Sequence, residues 1–176
     1  MKHLVVIITG LFFILIFITN CGTVKNKIRE ETVKSDADIL VHYGKFIYKR
    51  ELCGNCHTQE IRKASKDLIS LDGLGDRLGT SPYWLYEYLL NPQNINPESK
   101  KKSYLHLQQT QLKKEVLSQV IGDSVPNKLW IDLIQKAKVI TMELDKFGVE
   151  SSNTEMLALI SYLRHIPASK RKKDLD

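Results

Sequence analysis

Leu52-Cys53-Gly54-Asn55-Cys56-His57 gathers two thiols and an imidazole into six residues. Cys-x-x-Cys-His is the attachment motif of c-type haem. In that chemistry the two thiols add to two vinyl groups on one edge of the porphyrin. The histidine that follows reaches the iron from the proximal face. Covalent attachment lets a small domain keep a haem that packing alone could not hold. Two other chemistries use a Cys-x-x-Cys pair. A redox disulfide of the thioredoxin kind wants a strand–helix context, and the flanks here read as helical. A structural zinc site wants two more Cys or His at matching spacing. There is no second pair, and His42, His106 and His165 are scattered. The expectation is one haem c, attached at Cys53 and Cys56, with His57 as proximal iron ligand. The disulfide and the metal site stay as alternatives.

The elements that must position this motif read as helices. Ser35-Asp36-Ala37-Asp38 is a helix-start signal. Ile39, Leu40, Tyr43, Ile47 and Tyr48 follow at the spacing of one helix face, which runs into the motif near Leu52. Gly44 lies within that helix, at a cost of roughly 1 kcal/mol against Ala, as where a second helix approaches closely. Residues 62–80 read as a loop. Its glycines lack the GxGxxG order and no strand precedes them, so it is not a phosphate cradle. Ser81-Pro82 offers an N-cap and a proline at the first helical position. An aromatic helix follows to Leu90, stopped by Asn91-Pro92. Residues 91–104 read as a second loop. One helix is expected over Gln109–Ile121, and another opens at Ser124 and Pro126. The latter carries Leu129, Trp130, Leu133, Ile134, Ala137, Ile140 and Leu144 on a broad face and ends at Gly148. A last helix, capped by Asn153 or Thr154, carries Met156, Leu159, Ile160 and Leu163 and stops before Pro167. No strand is expected.

The N-terminus has a different composition. Leu4 to Thr19 is an uncharged run of 16 residues behind Lys2 and His3. At about 1.5 Å per residue it spans roughly 24 Å, short of a hydrocarbon core of roughly 30 Å. It is slightly longer than an ordinary signal-peptide core. Phe17-Ile18-Thr19-Asn20-Cys21-Gly22 resembles a bacterial lipoprotein processing site, with Cys21 as the lipidated residue, although Asn20 is larger than the residue usual there. The expected organisation is a lipoprotein signal or membrane anchor over residues 1–20 and a polar tether over 21–36. The helical domain covers 37–168 and a basic tail 169–176. An uncleaved anchor and plain secretion are the alternatives to lipidation. All three place the domain outside the cytoplasmic membrane, facing the periplasm or the outer side.

Length and charge set the outer bounds. At 176 residues the chain fits one domain. With 43% hydrophobic and 26% charged residues it is neither disordered nor fibrous. A net charge of +6 permits an acidic protein partner or anionic lipid but does not call for nucleic acid.

An exported all-α domain with Cys-x-x-Cys-His near its start and a final amphipathic helix resembles a class I cytochrome c. In that fold the first and last helices cross, and Gly44, Tyr48, Ala158 and Tyr162 would form the crossing. A closer resemblance runs from Gly44 to Arg62. It follows the pattern G-x-x-x-Y-x-R-E-x-C-x-x-C-H-x-Q-x-[IV]-R of the mono-haem subunit of cbb-three-type cytochrome oxidases. Asn91-Pro92, Pro97-Glu98-Ser99, Ser103-Tyr104 and the segment Thr154 to Leu163 resemble that family's second loop and C-terminal part. Extra helices then lie between the second loop and the C-terminal helix. The resemblance implies a lipid- or membrane-anchored mono-haem cytochrome. It would pass single electrons from donor proteins toward a membrane-bound respiratory oxidase, and would not be catalytic alone.

The sequence departs from that family where the iron's sixth ligand is concerned. The family's loop reads P-E-S-x-M-P-S-Y and its Met binds the iron, but Lys101 stands at that position. A proline that helps orient the proximal histidine is replaced within Lys66-Asp67-Leu68. Lys101, flanked by Lys100 and Lys102, is one candidate, although a free lysine has a pKa of about 10.4 and must lose a proton to ligate. His106, neutral near pH 7, and Met142 are the others; Met156 aligns with a non-ligand Met. An open position would favour an exported haem module that binds a diatomic gas. A peroxidase is disfavoured, because no distal acid–base pair is evident.

Overall fold

In a computed structural model, residues 38–59, 63–66, 68–77 and 80–168 are described. The N-terminal run, Cys21, the tether and the basic tail lie outside them, as do Ile61, Arg62 and Asp67. Asp38 opens α1 (Ile39–Arg50) by accepting the Leu40 backbone N–H at 2.9 Å. Ile39, Leu40, Tyr43, Ile47 and Tyr48 are buried, as their spacing predicts. Ser81 caps α2 (Pro82–Leu90) by accepting from the Trp84 N–H at 3.0 Å. Five further helices follow: α3 (Pro92–Ile95), α4 (Leu105–Gln109), α5 (Lys114–Ile121), α6 (Asn127–Asp145) and α7 (Glu155–Arg164). The domain is all-α apart from two short strands.

The core is organised around α7. Every residue from Glu155 to Leu163 is buried, so this helix has no solvent face along most of its length. A helix apolar on nearly all sides belongs inside a bundle. It packs on α1, α2, α4 and α6 and on the 3₁₀ turn Leu74–Asp76. Its closest partner is α1. A Cβ at Gly44 would collide with the Ala158 carbonyl and with Cβ of Tyr162. Only glycine allows the two backbones to meet there. One turn on, the Tyr48 and Tyr162 rings stack edge-on at 5.2 Å. The crossing of first and last helices is formed by the four residues expected for it.

Three expectations need correction. The helix predicted over Gln109–Ile121 begins only at Lys114, and a separate short helix, α4, ends at Gln109, with Thr110–Lys113 between them. Gln111 bridges Thr154, the Leu112 N–H donates to the Asn153 carbonyl, and the Glu155 N–H donates to Thr110. These tertiary bonds take the backbone groups that a continuous helix would use. The second loop is not all loop, because Pro92 starts the one-turn α3 directly after α2. Strands do occur: β1 (His57–Thr58) pairs in parallel with β2 (Ile69–Ser70), His57 against Ile69 and Thr58 against Ser70. Two-residue strands leave no alternating pattern to detect.

Candidate functional site

The motif leaves α1 through a sharp backbone change. Leu52 takes a left-handed conformation (φ 56°), which turns the chain into a 3₁₀ turn over Cys53–Asn55. Both thiols thereby sit on one short turn, unpaired with each other. Cys53 is half-buried and Cys56 exposed. Burial raises the Cys53 pKa; the nearby Lys101 charge and a hydrogen bond with the Tyr104 hydroxyl act against it.

His57 is held from three directions. The Tyr48 hydroxyl donates to its carbonyl at 3.4 Å. Pairing with β2 is closed by the Ile69 N–H donating to Cys56 O at 2.9 Å and the Leu71 N–H to Thr58 O at 2.7 Å. Gln59 donates to the Tyr162 hydroxyl, tying the end of the motif to α7. The β2 strand thus supports the histidine segment. The imidazole is half-buried, and its Nδ1 is buried without a hydrogen-bond partner. Burial lowers its pKa, the Lys101 charge lowers it further, and the Ile69 backbone opposes both.

Ahead of the motif, Arg50 grips α7. Its guanidinium makes a two-pronged ion pair with Glu155, at 2.8 and 2.5 Å, and Glu155 is 1% exposed. Arg50 also bonds Glu51 at 3.0 Å, and the other Glu51 oxygen lies 3.1 Å from Nε2 of His106. Sequence reasoning missed this ion pair. Its signal was the Arg-Glu dipeptide before the motif and a lone acid at the head of the last apolar helix.

The sixth-ligand candidates separate clearly. Met156 is fully buried in the core of α7. Met142 is 58% exposed, on the side of α6 away from buried Ile140 and Leu144. The His106 side chain is 51% exposed and engaged with Glu51. Lys100 and Lys102 are exposed, whereas Lys101 turns inward. The Lys101 ammonium lies 4.9 Å from the Tyr88 ring centre and 5.5 Å from that of Tyr104. Only Lys101, of these residues, acts electrostatically on both Cys53 and His57.

The donor set fits a covalently held haem better than its rivals. Two unpaired thiols share a turn, and the adjoining imidazole has a buried nitrogen that no protein group satisfies. An unsatisfied buried polar atom costs about 1–3 kcal/mol unless a ligand takes it. Among the described residues, no three His, Cys, Asp or Glu side chains converge as a metal ion would need. That weighs against a zinc site of Cys53, Cys56 and His57. No helix among the described residues is long and apolar enough to cross a membrane. No protein-family model matches the chain, and no curated protein does.

Proposed function

We propose that the chain is a mono-haem c-type cytochrome of the class I kind, anchored outside the cytoplasmic membrane, that passes single electrons between protein partners. The observation that carries the reading is the free thiol pair beside a half-buried histidine with an unsatisfied ring nitrogen. The crossing of α1 and α7 at Gly44 supports it independently of the motif. Cys53 and Cys56 would hold the haem, and His57 would take the iron. When bound, the group supplies reversible one-electron chemistry. The chain's own part is to hold the imidazole still, through Tyr48 and the β1–β2 pairing, and to shield it by burial. The resemblance to the oxidase subunit points to a respiratory terminal oxidase as the acceptor. Cys21, or the uncleaved N-terminal run, would keep the domain at the membrane.

The test is expression of the full chain with the machinery that attaches c-type haem. Haem should stay with the polypeptide on a denaturing gel, and Cys53→Ala/Cys56→Ala should lose it. A wild-type chain matured without covalent haem overturns the reading. If covalent haem is present but oxidase-containing membranes oxidise it no faster than air, the respiratory role fails while the attachment stands.

A further inference from the structure

Lys101 is unusual among the charged side chains of the domain. It is drawn inward between two aromatic rings, and no carboxylate among the described residues pairs with it. Lys100 and Lys102 are exposed; the Lys102 ammonium lies 5.6 Å from the Tyr104 ring centre, and Lys101 alone of the three is half-buried. The selection is built. The Lys101 N–H donates to Ser99 Oγ at 3.3 Å, and its carbonyl accepts from Gln93 Nε2 at 3.0 Å. Gln93 also donates to the Ser99 carbonyl at 3.0 Å. Three residues on, the Tyr104 N–H donates to Leu89 O at 2.9 Å, pinning the loop to α2. These bonds fix the Lys101 backbone on α2 and α3 and turn its side chain toward the motif.

The surroundings point the same way. Tyr104, one wall around the amine, lies within electrostatic reach of the Cys53 sulfur. The amine also interacts electrostatically with Cys53 and with His57. A cation moved from water into such a place without a counter-charge is costly. A neutral amine is not, and it is a nitrogen donor with a free lone pair.

We propose that Lys101 supplies the second protein ligand to the iron, opposite His57. This rests on the reading of the chain as a haem c protein. Ligation would resolve the position of Lys101: the side chain is half-buried against two aromatic faces, and the lone pair of its neutral amine is used. The two axial donors are then both nitrogens. Such a pair holds the potential below that of a histidine–thioether site, which suits an acceptor or donor at lower potential.

The experiment uses the full chain carrying covalent haem, verified first by haem staining. Magnetic circular dichroism of the ferric wild-type protein should report amine–imidazole ligation. A bis-imidazole, thioether or high-spin signature overturns the proposal and leaves the covalent haem in place. Lys101→Ala and Lys101→Arg should turn the ferric haem high-spin and raise the apparent CO affinity of the reduced protein about tenfold or more, by removing an internal competitor. Arginine keeps the charge but does not ligate, so wild-type behaviour in Lys101→Arg also overturns it. Lys101→Met should restore a low-spin haem with a thioether signature. If His106→Ala or Met142→Ala produces the high-spin change instead, that residue is the ligand and Lys101 is not. Absence of covalent haem from the wild type removes the underlying reading as well.

Discussion

Arg50, exposed at the end of α1, and half-buried Lys101 meet different fates. Arg50 finds Glu155, a carboxylate 1% exposed, and pairs with it through both guanidinium nitrogens. Lys101 finds two tyrosine rings and no acid. Removing either partner of a compensated pair leaves the other stranded, so such a pair acts as a fixture. A cation over aromatic faces gains less than one paired with a buried carboxylate. The same contrast applies to polar atoms: Tyr48 and Gln59 bond their targets, whereas Nδ1 of His57 has none.

The sharpest way to break this comparison is at the fixture. Arg50→Met strands the Glu155 carboxylate in the core and should cost about 3–5 kcal/mol in denaturant unfolding. Arg50→Met/Glu155→Leu should recover most of that loss. A loss under about 1 kcal/mol for the single variant would place the pair with ordinary surface ion pairs. Next in size is Gly44→Ala. The added methyl forces α1 off Ala158 and Tyr162 and should cost about 1–3 kcal/mol or more. Smallest is Lys101→Met, where a thioether of similar length replaces an amine without a counter-charge. Because the thioether would take the amine's place at the iron, the variant's unfolding free energy should stay within about 0.5 kcal/mol of wild type. A loss as large as that of Arg50→Met would mean Lys101 is a structural cation, and the contrast would collapse.

Much of the fold was legible because its signals are local. Ile39, Tyr43 and Ile47 repeat at helical spacing, and Ser81-Pro82 announces α2 with a cap and a pre-set φ. The break between α4 and α5 was not legible. It is made by Asn153 and Glu155, some forty residues away in the chain, which take the backbone bonds of Thr110 and Leu112. At the site, Cys53, Cys56 and His57 follow from spacing alone. The choice among Lys101, His106 and Met142 does not. Three consecutive lysines look alike until Gln93 and Ser99 determine which one faces inward. His106 likewise looked available until Glu51 claimed its ring.

The link between the motif and α7 has a consequence in time. Gln59 and Tyr162 are 103 residues apart, and Arg50 and Glu155 are 105 apart. Contacts of such sequence separation form late, because a long loop must close before they bring any return. During synthesis α7 emerges after the motif. Until it docks, the turn bearing Cys53 and Cys56 is held by local bonds only. On the proposed haem reading, a cofactor joined to both thiols would meet an open seam, which α7 would then close. Attachment would precede the docking of α7.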